Sequence, residues 1–108
     1  MTGFGEPNGS KKKGPQQKSQ ANGKLLLNNA INHHIRGDLK NAEKAYREAI
    51  DYGFSNVAVF SNLGTICQAT QREDKAEIYY KKAIEINPNH PDPYTNLGGL
   101  YKDLGNLD

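Results

Sequence analysis

The sequence predicts an all-α fold of antiparallel helix pairs, and two regularities indicate it. Leu63-Gly64 recurs 34 residues later as Leu97-Gly98. A tyrosine between two alanines recurs at the same spacing, first as Ala42, Tyr46 and Ala49 and then as Ala76, Tyr80 and Ala83. Because a repeat of this length accommodates one helical hairpin, the period itself predicts a series of helix pairs.

Each half of the period also has the residue spacing of a helix. Apolar and small residues fall at i, i+3, i+4 and i+7, which places them on one helix face. In the first half of the middle repeat this stripe consists of Phe60, Leu63, Gly64 and Cys67. Gly37 and Gly105 stand where a helix ends in the left-handed conformation, which glycine favours. The equivalent residue of the middle repeat is Gln71, which departs from this turn pattern. We expect helices near residues 24–36, 40–52, 57–70, 73–86 and 91–104.

These positions resemble the tetratricopeptide repeat family. Its pattern has aromatic residues at positions 4, 11 and 24, Leu-Gly at 7 and 8, Ala at 20 and 27, and Pro at 32. The middle repeat matches this pattern at Phe60, Leu63, Gly64, Ala76, Tyr80, Ala83 and Pro88. It departs only at Cys67, which replaces the second aromatic residue. The resemblance covers residues 23–108 and implies a right-handed α-solenoid that binds a protein or peptide and catalyses nothing.

The period divides the chain into about two and a half repeats behind a tail. Residues 1–22 are rich in glycine, lysine and other polar residues, so we expect a disordered basic tail. Repeat 1 covers residues 23–56 and is degenerate in its first half. Repeat 2 covers residues 57–90. Repeat 3 covers residues 91–108 and is truncated, because its second helix would follow Asp108.

The net charge of +2 is concentrated in the tail, where Lys11, Lys12, Lys13 and Lys18 outnumber the single acidic residue Glu6. The repeats are close to neutral, and a nucleic-acid surface needs clustered lysine and arginine. We therefore expect no nucleic-acid partner, although the tail leaves that role open. With one cysteine and no apolar stretch long enough for a bilayer, we also expect no membrane partner and a cytoplasmic location.

Residues capable of catalysis or metal binding are few. Cys67 falls on the apolar stripe, where it would act as a small buried residue. His33 and His34 are adjacent, and neighbours on a helix point about 100° apart, so they cannot chelate one ion together. His90 stands in a turn. We predict a non-enzymatic chain with no catalytic residue, no metal and no cofactor.

Asparagine occupies the sixth position of all three repeats, as Asn28, Asn62 and Asn96. At about 100° per residue, this position points away from the apolar stripe. An asparagine amide offers two donors and one acceptor, which match a peptide backbone whatever its side chains are. We predict a peptide-binding site that comprises these residues and three polar neighbours: Thr65, Gln68 and Lys102. The alternative is that the asparagines are only solvated.

The sequence leaves three other functions open. The three asparagines resemble the asparagine ladder in the repeat arms of O-linked N-acetylglucosamine transferases, which holds the backbone of the acceptor peptide. By that resemblance, the chain would be the targeting arm of a larger glycosyltransferase-type enzyme. The stripe of repeat 3, with Tyr94, Leu97 and Tyr101, would otherwise mediate self-association. The basic tail would otherwise bind nucleic acid or a membrane surface.

Overall fold

A computed structural model describes residues 20–105, with side chains from residue 22 onward. Helices are the only regular elements in this range, which confirms the all-α prediction. Their bounds are α1 Gln20–Ile35, α2 Leu39–Asp51, α3 Val57–Ala69, α4 Glu73–Ile86 and α5 Pro91–Asp103. In the described part of the chain, every helix is too short or too polar to cross a lipid bilayer.

The predicted boundary between tail and repeats needs one correction. Helix α1 begins at Gln20, so residues 20–22 are helical and not part of a disordered segment. Gly23 explains this longer helix, because a Cβ atom there would lie 2.3 Å from the Phe54 ring. The ring thus packs directly on the α1 backbone and stabilises its first turns. Residues 1–19, the rest of the predicted tail, and residues 106–108 lie outside the described range.

The chain divides into two compact units, and the boundary in the sequence falls between Phe54 and Ser55. In the first unit, α1 and α2 pack as a hairpin around fully buried side chains that include Ala30, Tyr46 and Ala49. The short connection between them turns at Gly37, which has a positive φ of 81°. Asp38 then caps α2, since its side chain accepts the Asn41 backbone N–H.

The second unit contains α3, α4 and α5. A Cβ atom at Gly64 would lie 2.4 Å from the Tyr80 ring, so the absence of a side chain lets α3 and α4 approach closely. Tyr80 is completely buried, together with Cys67, Ala76 and Leu100, and Leu97 packs against this cluster. Helix α5 therefore adds to the α3–α4 hairpin through Leu100 and the similarly buried Pro93.

The turn between α3 and α4 keeps its geometry although its residue departs from the pattern. Gln71 has a φ of 62°, close to the 81° of Gly37 and the 74° of Gly105, which stand 34 residues to either side. The Arg72 N–H donates to the Cys67 carbonyl at 2.8 Å and closes the end of α3. A glutamine therefore adopts the left-handed conformation that glycine adopts without a steric cost.

Candidate functional site

A cleft of about 220 Å³ lies between α3 and α5 in the second unit. Its walls come from the first half of α3 and from the N-cap and first half of α5. The lining residues are Val57, Ala58, Ser61 and Asn62, and His90, Asp92, Thr95 and Asn96. We call this feature the α3–α5 cleft. Sites for small molecules usually have about 300–1,000 Å³, so its size suits a side chain or a short stretch of peptide.

Two of the three predicted asparagines line the α3–α5 cleft. Asn62 and Asn96 are both half-buried there, one from each helix. The third, Asn28, lies on α1 in the first unit, where its side chain is exposed. None of the three belongs to the buried core of the described chain, as their repeat position predicts.

The three predicted neighbours have different environments. Thr65 is half-buried and its hydroxyl donates to the Asn62 carbonyl at 2.8 Å. Lys102 is exposed on α5. Gln68 is held at both ends of its amide, because Oε1 accepts the Tyr80 hydroxyl and Nε2 donates to Asp103, each at 2.8 Å. A ligand that uses Gln68 would have to compete with these bonds, which sequence spacing alone does not reveal.

The polar groups at the start of α5 are partly used by the helix itself. His90 is the N-cap, and its Nδ1 accepts the Asp92 backbone N–H at 3.3 Å. In a neutral His90 ring, Nδ1 can accept this bond only if the ring hydrogen is on Nε2. The Thr95 hydroxyl donates to the Pro91 carbonyl at 3.3 Å. The Asp92 carboxylate lines the cleft, and its lining includes no lysine or arginine.

Two groups of side chains with shifted pKa values serve packing. The hydrogen bond that Tyr101 donates to Glu77 lowers the pKa of Glu77 and raises the pKa of Tyr101. The Glu77 carboxylate also lies 3.1 Å from Lys81, whose pKa it raises. Burial raises the pKa of Tyr80 to about 12. The Tyr101–Glu77 bond joins α5 to α4, whereas the Glu77–Lys81 pair lies within α4. All of these residues lie outside the cleft lining.

The histidines and the cysteine have structural roles. Burial lowers the pKa of His34, whose ring meets Tyr46 edge-on and lies 3.3 Å from its hydroxyl. His33 Nδ1 lies 3.2 Å from the Asp38 carboxylate. Cys67 is completely buried, as its position on the stripe predicts. Within the described residues, no group of three or more His, Cys, Asp or Glu side chains could hold a metal ion.

Family profiles named tetratricopeptide repeat match residues 57–90 and residues 79–108. Both matched segments therefore have the sequence pattern of tetratricopeptide repeats. The Leu-Gly pairs, the buried Tyr80 and the two flanking alanines of α4 are thus the packing positions of this repeat. Tetratricopeptide repeats are protein-interaction modules, which present a surface for partners and are not themselves catalytic.

Three curated proteins have segments similar to this chain. The UDP-N-acetylglucosamine–peptide N-acetylglucosaminyltransferase of Giardia intestinalis is 47% identical over 45 residues, which is 42% of this chain and 3% of that protein. Anaphase-promoting complex subunit 3 of Schizosaccharomyces pombe is 27% identical over 70 residues, 65% of this chain and 10% of that protein. Photosystem I assembly protein Ycf3 of a Synechococcus strain is 30% identical over 74 residues, 66% of this chain and 43% of that protein. The chain therefore spans less than half the length of each.

Proposed function

We propose that this chain is a non-catalytic interaction module that binds an extended peptide segment, with Asn62 and Asn96 as its central contacts. The observation that carries the proposal is that both asparagines, 34 residues apart in the sequence, line the α3–α5 cleft. Two amides on one surface match the repeating donors and acceptors of an extended backbone.

The geometry of packed helices supports such a ligand. Packed helices lie about 8–10 Å apart, and an extended peptide rises about 3.3 Å per residue. Asparagines on neighbouring helices would therefore meet the ligand at about every third residue. Between those contacts the ligand's side chains would be free to vary, so the affinity would depend little on sequence.

The other predicted residues have more limited parts in this proposal. Asn28 holds the position in the first unit that Asn62 holds in the second, and its exposed amide offers the same donors and acceptor. The Thr65 hydroxyl donates to the Asn62 carbonyl and can still accept a hydrogen bond, and Lys102 places an exposed positive charge on α5. Gln68 would contribute only by exchanging its bond to Asp103 for one to the ligand.

Alanine replacement of the three asparagines tests the proposal. Each hydrogen bond contributes about 0.5–1.5 kcal/mol, so single replacements should weaken binding several-fold and the triple replacement by about 2–4 kcal/mol. Titration calorimetry with peptides selected by the full chain from a random phage-displayed library measures this loss. Circular dichroism should show unchanged helicity, since none of the three belongs to the core.

A matched control removes three exposed asparagines from other repeat positions, Asn29, Asn32 and Asn89. This control variant should bind like the wild type. If the folded triple variant of Asn28, Asn62 and Asn96 also binds like the wild type, the asparagines are solvated side chains and the proposal fails.

A second candidate is that the chain is the substrate-targeting arm of a larger glycosyltransferase-type enzyme. The 47% identity to a segment of the Giardia transferase favours it. Sequencing the complete transcript distinguishes the two, because a targeting arm requires a transferase domain in the same reading frame. The peptide-binding experiment has the same expected result under both candidates.

A further inference from the structure

Ser61 differs from the threonines of the second unit. It is only 7% exposed, lines the α3–α5 cleft, and its Oγ has no hydrogen-bond partner in the described chain. By contrast, each of these threonine hydroxyls donates to a backbone carbonyl of the helix that it belongs to or caps. Thr65 donates to Asn62, Thr70 to Ile66 and Thr95 to Pro91. Bonding back to the helix is the usual arrangement for such a hydroxyl. A buried polar atom normally has a partner, so the Ser61 hydroxyl is suited to one supplied by a ligand.

The remaining lining of the cleft offers hydrogen-bond acceptors beside amide donors, and it carries one negative charge. Asp92 contributes a carboxylate, while Asn62 and Asn96 contribute amide oxygens. The lining contains no lysine or arginine that could neutralise the carboxylate. The Asp92 backbone N–H is already donated to His90 Nδ1, which leaves one main-chain donor fewer for an anion at the start of α5.

The geometry points to the α3–α5 cleft as a subsite for a lysine or arginine side chain of the bound segment. The Asp92 carboxylate pairs with the positive charge. Ser61 Oγ is enclosed in the described structure, so it accepts an N–H bond from the same group once rotation about the Cα–Cβ bond turns it into the cleft. This inference rests on the proposed peptide binding and adds a chemical preference to it. A cationic donor fits better than a neutral one because hydrogen bonds between charged groups are the stronger kind. An acidic side chain would meet the Asp92 carboxylate without a compensating cation.

Four labelled peptides with one glycine–serine scaffold test the preference, with lysine, arginine, glutamine or glutamate at the central position. Fluorescence anisotropy of each peptide with the full chain gives the affinities. The lysine and arginine peptides should bind about tenfold more tightly than the glutamine peptide, and the glutamate peptide most weakly. Raised ionic strength should reduce the difference, because salt screens partly exposed charges.

Asp92→Asn has a closely matched control in Asp74→Asn. Both aspartates are the second residue of their helix, α5 and α4 respectively, so each change removes the same favourable interaction with a helix N-terminus. Only Asp92 lines the cleft. Asp92→Asn should abolish most of the tenfold preference for lysine, whereas Asp74→Asn should leave it unchanged.

Ser61→Ala tests the hydroxyl separately. Because Ser61 Oγ has no partner in the described chain, the melting temperature should not fall, but the affinity for the lysine peptide should fall several-fold. If the four peptides bind equally and Asp92→Asn behaves like Asp74→Asn, the subsite is overturned while peptide binding stands. If the glutamate peptide binds best, the subsite is likewise overturned. If no peptide binds, the proposed function itself fails.

Discussion

Helices α3 and α5 carry the same repeat positions on one face, yet those positions have different environments. On α3, Leu63, Gly64 and Cys67 are buried, and the Tyr80 ring of α4 lies against Gly64. On α5 the equivalent Gly98 is exposed and a Cβ atom there would have no neighbour within 4 Å. Tyr94, the equivalent of Phe60, is 48% exposed.

The difference between the two helices comes from α4. Helix α5 buries Pro93 and Leu100 in the second unit, and not the face that carries Tyr94 and Gly98. The repeat pattern thus marks positions that can be buried, and they are buried only where a neighbouring helix packs against them. Substitutions at equivalent positions of α3 and α5 should therefore have different consequences for stability.

The largest expected difference concerns the two tyrosines. Tyr80→Ala should lower the free energy of unfolding by about 3–5 kcal/mol, because it removes a completely buried ring. Tyr94→Ala should cost about 1 kcal/mol or less, since it loses mainly an exposed bond to the Pro88 carbonyl. Urea denaturation followed by circular dichroism measures both. Lys81→Ala, next to Tyr80 but exposed, serves as control and should cost less than about 0.5 kcal/mol. Equal losses at Tyr80 and Tyr94 would show that both faces are covered.

Replacing Gly64 or Gly98 by alanine should change stability in opposite directions. Gly64→Ala places a methyl group against the Tyr80 ring, and overpacking of this kind costs about 1–3 kcal/mol. Gly98→Ala meets no neighbour and should raise stability by up to about 1 kcal/mol, because alanine favours the helix. The melting temperatures of the two variants test this directly. A loss of stability from Gly98→Ala would mean that another group packs on α5.

The smallest effect concerns the turns that follow the two helices. Gln71 and Gly105 both have a positive φ, but only the glutamine is strained there. Gln71→Gly should stabilise the fold by less than about 1 kcal/mol, since the greater freedom of glycine in the unfolded chain offsets part of the relief. The midpoint of chemical denaturation measures the change. In the matched control Lys81→Gly, within α4, glycine should instead destabilise the helix. If both glycines destabilise, the left-handed turn does not strain Gln71.

The sequence predicted helix number and position well because the period of 34 fixes both. It placed the start of α1 four residues too late, at residue 24 and not at Gln20. The reason is that the Phe54 ring packs on Gly23, a contact between residues 31 positions apart. It also marked Gln71 as a departure from the turn pattern, whereas the backbone keeps the left-handed turn. Residue preferences predict neither the contact of Phe54 with Gly23 nor the conformation that a particular glutamine adopts in a turn.

The candidate site was predictable in part for the same reason. Helical periodicity placed Asn62 and Asn96 away from the core, and both line one cleft. It could not show that the Ser61 hydroxyl is buried without a partner. Nor could it show that Gln68 is held by Asp103, which lies 35 residues away. Hydrogen-bond partners across helices depend on side-chain conformation, which a repeat pattern does not specify.

The Gln68 amide joins the interior of the second unit to its surface. It accepts a bond from the buried Tyr80 of α4 and donates one to Asp103 at the end of α5. A ligand that bonds to Gln68 would break the Gln68–Asp103 bond and so weaken the attachment of α5. By thermodynamic linkage, the Gln68–Asp103 bond weakens ligand binding by the same free energy. Binding of a ligand through Gln68 would therefore be coupled to the anchoring of α5 through a single side chain.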